Sequence, residues 1–485
     1  MRTVYAHELP RLYSGDSLHA FASGDDHTYD SDFQDYGRCS LLSAYLFNDR
    51  TARAMLKRLK WSYSVFDDSI TKRASVAEYL ICSSNGLQPA SSSHSGVSKI
   101  LYNGGWLGQI IARDAWDDTL AATLMKIGCR TTANHEHADA GQFQIWYKGM
   151  LAGDTGSYDT YDRTGNTDPH FFQYHQATVA HNCIVLGNDE GQKQPGETGN
   201  FNNGSSSWMQ SDNYKTGTVT GVRYGYSDSN QNTPAYAYIA GDLTPAYSNT
   251  GKVSSYNRRM LTVFDTADSN EELYFFVYDN ITTNSASTQK KFLLHVPTNP
   301  TVSGNKVTVV NAQGGKLVLQ NVFGGATISK VGGVVYTNGA YNPTASSNYK
   351  VNGVQIANAG THNDGFWGRV EIKSSTSSKT TEMLNAMYVC DANNDPEWTA
   401  QGFSSSNVKG TVLGNTAAVF VKSSTPLSYS FSVPGSGTKW FYVSGVADGN
   451  WKIKRNGTTV HESKSAQGGL LIFDAQTGTI EIIKQ

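Results

Sequence analysis

Three short segments of the sequence together supply several imidazole and carboxylate side chains. They are Asn134-His135-Glu136-His137-Ala138-Asp139, Gly153-Asp154-Thr155-Gly156 and Ala180-His181-Asn182. If the first segment is a β-strand, alternate side chains share a face, and His135, His137 and Asp139 point the same way. Such a set of side chains can bind a metal ion, transfer a proton, or do both.

The metal interpretation takes one residue from each segment: His137, Asp154 and His181. Zinc accepts two imidazoles and a carboxylate, with a fourth position for water or another ligand. The ordinary alternative is that each histidine is a hydrogen-bonded polar residue near the edge of a sheet. The His-x-His spacing and the glycine-flanked turn around Asp154 favour the metal site, with one zinc ion per chain.

The proton-transfer interpretation concerns His135, because a neutral imidazole near a substrate can act as a general acid or base. Tyr158 and Tyr161 follow the Asp154 turn, and a tyrosine hydroxyl can exchange a proton with a sugar carbon or a glycosidic oxygen. Sheet packing is the ordinary role for most of the 27 tyrosines. We therefore keep His135, Tyr158 and Tyr161 as the candidate catalytic residues.

Three further residues are candidates for contacting a substrate. Asn134 stands beside His135 and can hydrogen-bond a carboxylate, although turn formation is its ordinary role. Arg163 is a candidate for the rim of the same cleft. Trp106 can stack on a sugar ring, against the commoner role of a tryptophan in the core.

The composition limits the class of protein. Only 16% of the 485 residues are charged, against about 25% in typical globular proteins, and glycine, serine, threonine, asparagine and tyrosine fill the difference. The net charge of −2 gives no general attraction to nucleic acid or to an anionic membrane. The five scattered cysteines form no CxxC pair and indicate buried apolar residues rather than a disulfide framework.

Neither a membrane span nor a leader is predicted. No run approaches the roughly 20 apolar residues that a membrane-spanning helix needs. The first thirty residues lack the apolar region of a signal peptide. The expectation is a cytosolic protein, or one whose signal has been removed.

Hydrophobic periodicity predicts helices first and strands afterwards. Helical spacing occurs between residues 33 and 90, and residues 120–127 fit a strand or a helix. From Phe143 onward, period-two alternation separated by Gly, Asn, Ser and Asp clusters predicts antiparallel strands. The predicted strands are 143–147, 219–226, 261–265, 273–278, 292–295, 307–310, 417–421, 427–433, 440–443 and 470–473.

The fold class is therefore α+β and mostly β, in three parts. Residues 1–95 are predicted as a helical domain, residues 96–385 as a central antiparallel β-sandwich that carries the His-x-His motif, and residues 386–485 as a smaller C-terminal β domain.

Taken together, the motifs resemble the heparinase II/III family of polysaccharide lyases, and heparinase II most of all. The resemblance is carried by the order and spacing of 134–143, 147–149 (Tyr-Lys-Gly), 154–158 (Asp-Thr-Gly-Ser-Tyr) and 178–182 (Thr-Val-Ala-His-Asn). It implies an N-terminal (α/α) toroid, of which residues 1–95 would be the end, a central antiparallel β-sandwich and a small C-terminal β domain.

The resemblance also implies an activity, β-elimination on a uronic-acid polysaccharide such as heparin, heparan sulfate or a related uronan. A base removes the C5 proton of the uronate and an acid protonates the leaving O4. His135 matches the catalytic histidine of the β domain, Asn134 a residue beside the substrate carboxylate, and His137, Asp154 and His181 the ligands of a structural zinc. A cleft tyrosine falls near Tyr158 or Tyr161.

One departure from the family pattern affects the expected activity. The family's second catalytic histidine and its main catalytic tyrosine lie in the toroid, at positions that would precede Met1. The chain by itself is therefore expected to show little lyase activity, unless Tyr29, Tyr36, Tyr158 or Tyr161 has taken the role. The expected partner is an anionic polysaccharide, the expected location is periplasmic or secreted, and a homodimer is left open.

Two other functions remain open. One is a non-catalytic carbohydrate-binding β-sandwich with a structural zinc. The other is a zinc-dependent hydrolase, in which the metal activates water. Replacing His135 separates a lyase from a binding module, and the absence of a double bond in the product separates hydrolysis from elimination.

Overall fold

The computed structural model describes residues 11–14, 17–20, 98–105, 107–115, 119–128, 137–156, 170–192, 216–264, 266, 271–356 and 364–485. The helices predicted between residues 33 and 90 lie outside these ranges. Within them, no helix is long and apolar enough to cross a membrane. The regular structure of the described chain is almost all β-strand.

The described strands up to residue 296 form one hairpin and contribute to three larger sheets. Up to residue 192 the strands are β1 (Arg11–Ser14), β2 (Ser17–Ala20), β3 (Ile100–Asn103), β4 (Gln109–Arg113), β5 (Ala121–Lys126), β6 (Phe143–Tyr147), β7 (Met150–Ala152) and β8 (Ile184–Leu186). They are followed by β9 (Thr218–Tyr226), β10 (Pro234–Asp242), β11 (Val253–Val263), β12 (Glu271–Thr283) and β13 (Lys290–Val296). A π-helical turn, Phe171–His175, and two 3₁₀ turns, Thr178–Ala180 and Pro245–Thr250, interrupt them.

In the second half of the described chain, the elements of regular secondary structure are all strands. The next are β14 (Thr301–Ser303), β15 (Lys306–Val310), β16 (Gly315–Phe323), β17 (Thr327–Gly332), β18 (Tyr336–Thr337), β19 (Ala340–Tyr341), β20 (Lys350–Val351), β21 (Val354–Gln355), β22 (Gly368–Lys373) and β23 (Thr380–Asp391). The last are β24 (Gln401–Ser405), β25 (Val408–Leu413), β26 (Thr416–Val421), β27 (Ser428–Ser444), β28 (Gly449–Arg455), β29 (Thr458–Gln467) and β30 (Leu470–Lys484).

Four sheets of more than two strands are present in the described part of the chain. An eight-stranded sheet has the order β14-β15-β16-β23-β12-β11-β10-β9, a five-stranded sheet β3-β4-β5-β6-β7, a four-stranded sheet β17-β22-β13-β8 and a seven-stranded sheet β24-β25-β26-β27-β30-β28-β29. Strand pairing is antiparallel throughout the described chain except between β26 and β27. The pairs β1-β2, β18-β19 and β20-β21 form separate hairpins.

The eight-stranded sheet is covered on both faces. Alternate residues of a strand point to opposite faces, and in β12 Phe275 and Val277 pack into the main core against the five- and four-stranded sheets. Phe276 and Tyr278 of the same strand pack on the other side, against side chains of the seven-stranded sheet such as Phe420. This two-sided burial explains why residues 273–278 of β12 are all apolar or aromatic.

The seven-stranded sheet encloses a core of its own. Trp451 is fully buried in this core, where Phe441 and Phe473 stack with their ring centroids 4.8 Å apart. Across the sheet interface, Phe420 stacks on Tyr278 at 4.9 Å. The C-terminal part therefore has its own core and also covers the outer face of the eight-stranded sheet.

Most of the predicted strands are confirmed, with three differences. Residues 121–126 form a strand, so the helical alternative for 120–127 is wrong. The predicted strand 261–265 is the end of the longer β11. The two segments 427–433 and 440–443 belong to one strand, β27, whose pairing with β30 shifts register between Val433 and Thr438. The strand that crosses the predicted boundary at residue 385, β23, lies along its whole length in the eight-stranded sheet.

Candidate metal centre

Three loops from different strands bring His137, Asp154 and His181 together. His137 precedes β6, Asp154 follows β7, and His181 stands between the 3₁₀ turn Thr178–Ala180 and β8. All three residues are buried, and one potential ligand atom from each lies within 4.8 Å of the others. The predicted grouping of these three residues is thus present.

Close contacts connect the three side chains. Nδ1 of His181 lies 2.5 Å from Oδ1 of Asp154, and the same Oδ1 accepts a hydrogen bond from the backbone N–H of Thr155 at 3.0 Å. The rings of His137 and His181 have centroids 5.1 Å apart. Burial alone would raise the pKa of Asp154, but His181 and then His137 hold that pKa below its usual value.

The donor set fits a divalent metal ion. Two imidazoles and one carboxylate are a known set of protein ligands for zinc. Among the described residues, neither Oδ2 of Asp154 nor Nε2 of His181 has a hydrogen-bond partner, although both atoms are buried. Buried polar atoms are rarely left without a partner, because desolvation makes this costly. A cation bound by these atoms would satisfy both.

Residues 137–140 form a loop. The condition under which His135, His137 and Asp139 would share a face, that their segment is a strand, therefore does not hold for His137 and Asp139. Asp139 instead accepts bonds from Lys126 Nζ at 2.7 Å to each carboxylate oxygen and from Gln142 Nε2 at 2.7 Å. Because its oxygens are engaged in a buried ion pair, Asp139 serves to fix the loop.

Asn182, the neighbour of His181, connects the loops of the centre. Its Nδ2 donates to the carbonyls of Phe143 and Gly153, at 2.8 and 3.1 Å. Its Oδ1 accepts from the backbone N–H of His295 at 2.7 Å. Asn182 therefore fixes the residue before Asp154 relative to β6 and β13.

A buried ion pair lies below the centre. Arg258 donates to both carboxylate oxygens of Asp279, at 2.6 and 3.0 Å. Its other terminal nitrogen donates to the carbonyls of Gly141 and Asn182, at 2.7 and 2.8 Å. Since Gly141 follows the His137 loop and Asn182 follows His181, one guanidinium supports two of the three loops.

His175 and Asp364 approach the same centre from other segments. The ring of His175 lies edge-on to that of His137, with centroids 4.4 Å apart. Gly156 has φ +101° and packs so closely on His175 that a Cβ there would come within 2.5 Å of Nδ1, so only glycine fits. Asp364 Oδ2 accepts from the Gly156 N–H at 2.6 Å, and burial raises the pKa of Asp364 to about 6.

Several contributors were not identified from the sequence. Asp364 lies about two hundred residues from the motif, in an Asn-Asp-Gly sequence that by itself predicts only a loop. Arg258 and Asp279 lie in β11 and β12, just outside the predicted strand segments 261–265 and 273–278. Lys148, in the Tyr-Lys-Gly segment, pairs with Asp391 at the end of β23.

The remaining predicted site residues lie outside the described residues. They are His135, Asn134, Tyr158, Tyr161, Arg163 and Trp106. Two of the five cysteines, Cys183 and Cys390, are described, and both are buried as predicted.

Comparison with known proteins agrees with this architecture. Residues 99–383 match the family described as Heparinase II/III-like, C-terminal, and residues 403–484 match the Heparinase II C-terminal domain. No curated protein matches the sequence. Among solved structures, a heparinase III is similar at a TM-score of 0.54 and 10% identity, over 86% of this chain and 53% of that protein.

A second solved structure gives the same result. The heparan sulfate lyase HepC from Pedobacter heparinus is similar at a TM-score of 0.52 and 13% identity, over 84% of this chain and 50% of that protein. At such identities the likeness shows the fold alone, and the chain spans about half the length of these proteins. The match over residues 99–383, more than half of the chain and including His137, Asp154 and His181, shows that the chain belongs to the heparinase II/III-like family.

Proposed function

We propose that the protein is a polysaccharide lyase that cleaves a uronic-acid-containing polysaccharide by β-elimination. The observation that carries this proposal is the buried group His137, Asp154 and His181 inside the region that matches the family. Heparin, heparan sulfate and related uronans are the candidate substrates. The heparan sulfate lyase among the similar structures supports this class of substrate.

The chemistry assigns different work to the two histidines of the His-x-His motif. A uronate C5–H is weakly acidic, so the site must neutralise the adjacent carboxylate and stabilise the enolate-like charge that develops. In the proposal, His135 is the base that removes the proton from C5, and Tyr158 or Tyr161 is the acid that protonates the leaving O4. Asn134 contacts the uronate carboxylate, while Arg163 and Trp106 bind neighbouring sugars.

His137, Asp154 and His181 are proposed to hold one structural zinc ion. When bound, the ion would connect the loops before β6, after β7 and before β8. Their burial, and the contacts of Lys126, Asn182 and Arg258 with the same loops, support a structural role rather than contact with substrate. The protein would act on its anionic substrate in the periplasm or outside the cell, and a homodimer remains a proposal without further support.

A screen over uronic polysaccharides tests the proposed activity. Elimination creates a double bond conjugated with the carboxylate, so the product is followed by its ultraviolet absorbance. We expect His135→Ala to abolish any such product. His461→Ala is the matched control, because His461 lies in β29 and bonds the carbonyl of Asp474, in the seven-stranded sheet.

Two other outcomes would support the alternatives. Cleavage products without a double bond would indicate a zinc-dependent hydrolase. Polysaccharide binding without cleavage, unchanged by His135→Ala, would indicate a non-catalytic carbohydrate-binding module. Equal loss of product in His135→Ala and His461→Ala would remove the assignment of His135.

A further inference from the structure

The carboxamide of Gln192 forms two hydrogen bonds with one backbone residue of the His137 loop. Its Oε1 accepts from the N–H of Ala140 at 2.9 Å, and its Nε2 donates to the carbonyl of Ala140 at 2.7 Å. Gln192 is 2% exposed. The buried Gln192 amide therefore bonds the N–H and C=O of Ala140 as a neighbouring β-strand would, in a loop that is not paired with a strand there.

The same short segment holds the loop at a second point. The backbone N–H of Gln192 donates to Oγ1 of Thr178 at 2.7 Å, and that hydroxyl donates to the carbonyl of Ala138 at 2.8 Å. The Ala138 N–H is bonded to the carbonyl of Gln176. The backbone N–H and C=O groups of Ala138 and Ala140 thus all have hydrogen-bond partners.

The segment that carries Gln192 is itself fixed. Asp189 accepts from Lys291 Nζ at 2.7 Å and from the backbone N–H of Asn352 at 2.6 Å. Gly191 lies so close to Thr178 that a Cβ there would come within 2.3 Å of its side chain. The contacts of Asp189 and Gly191 therefore hold the segment on the N-terminal side of Gln192.

We propose that Gln192 is a positioning residue that fixes His137 for metal binding. The inference rests on the zinc site proposed above. Metal sites need their ligands placed within about 0.5 Å, and the Ala140 bonds hold the loop three residues from the ligand. Without the carboxamide, the Ala140 N–H loses its partner, and the Ala140 carbonyl keeps only the weak bond from the Cys183 thiol, at 3.5 Å. The loop can then shift toward other partners or water.

The chain contains a matched control. Gln320 in β16 forms the same pair of bonds with Ala400, at 2.9 Å from the Ala400 N–H to Oε1 and 3.1 Å from Nε2 to the carbonyl. Gln320 is also buried. It joins the eight- and seven-stranded sheets, on elements that carry none of the three candidate ligands.

The experiment compares Gln192→Met with Gln320→Met in the full chain, since methionine keeps the side-chain volume and removes the amide. Zinc affinity is measured by competition with a chromogenic chelator, and the d–d absorption of the Co²⁺-substituted protein reports the ligand geometry. We expect Gln192→Met to bind zinc about 10- to 100-fold more weakly, the range found for outer-shell partners of metal ligands, with an altered Co²⁺ spectrum. Gln320→Met should bind zinc within about twofold of the wild type.

Each outcome decides a different point. Wild-type protein that binds neither ion overturns the metal site, and with it this inference. Wild-type binding with unchanged affinity in Gln192→Met, or equal losses in both variants, overturns the positioning role alone. Should Gln192→Met fail to fold, Thr178→Val removes the second support of the same loop, and its unchanged zinc affinity would equally overturn the proposal.

Discussion

His181 and Asp154 are in direct contact, with Nδ1 of the imidazole 2.5 Å from Oδ1 of the carboxylate. Two ligand atoms of a tetrahedral zinc ion lie about 3.3 Å apart, given bonds of about 2.0–2.1 Å. The pair is therefore hydrogen-bonded as it stands. A carboxylate in this position can bind the ion itself, or orient the imidazole so that its other nitrogen binds.

In both arrangements the negative charge of Asp154 favours the bound cation. We expect Asp154→Asn to lower zinc affinity by at least about tenfold, as is typical when a residue that bonds a metal ligand is replaced. Metal content after dialysis against a weak chelator measures it. Asp391→Asn is the control, since that carboxylate pairs with Lys148 away from the centre, and equal metal retention in the two variants would contradict a role for Asp154.

Arg258→Met tests the buried ion pair with Asp279. The substitution leaves the Asp279 carboxylate buried without its guanidinium, which typically costs about 3–5 kcal/mol. It also removes the donor to Gly141 and Asn182. Urea denaturation measures the loss of stability, and metal content the effect on the loops.

Lys452→Ala is the control for this prediction, because Lys452 pairs with Glu462 at the surface. A surface pair contributes about 0–1 kcal/mol. A shift of the urea midpoint in Arg258→Met no larger than in Lys452→Ala would contradict the structural role of Arg258.

Phe420→Ala tests the interface between the eight- and seven-stranded sheets. Phe420 is buried and stacks on Tyr278, and truncation of a buried phenylalanine costs about 3–5 kcal/mol. The metal centre lies on the opposite side of the eight-stranded sheet, so zinc content should not change. Loss of zinc in the folded variant would show that the two faces are coupled.

Asp114→Asn tests a pH dependence outside the metal centre. Burial, and to a smaller extent Glu272, raise the pKa of Asp114 to about 7, against about 3.9 in an unfolded chain. Between these values the folded state binds more protons, so this group's contribution to stability is complete below pH 4 and is lost as the pH rises through 7.

The asparagine variant should not lose stability with rising pH in this way, because asparagine does not ionise. Its side-chain oxygen can still accept the hydrogen bond from the Ala121 N–H, which bonds Oδ1 of Asp114 at 2.8 Å. Relative to wild type, its urea midpoint should therefore improve between pH 5 and pH 8. Parallel midpoints for the two proteins across this range would contradict the raised pKa of Asp114.

The sequence was sufficient for the parts of the fold that depend on local pattern. Alternation in 143–147 identified β6, and the apolar segment 273–278 identified β12. The motifs identified His137, Asp154 and His181 because their residue types are unusual for a sheet. The grouping of Asp139 with His135 and His137 was not predicted correctly. Asp139 lies in a loop and pairs with Lys126, a contact that hydrophobic periodicity cannot predict. Gln192, Arg258 and Asp364 act through contacts between distant segments, and their residue types are ordinary in strands and turns.

The two-sided burial of the eight-stranded sheet also limits where the chain can be cut. A fragment ending before β24 would keep every strand of that sheet, yet would expose Tyr274, Tyr278, Leu384 and Tyr388 to water. An exposed apolar face of this kind promotes aggregation. The C-terminal sheet thus covers an apolar face of its neighbour, and we expect a fragment with the candidate metal centre to need both matched regions to stay in solution.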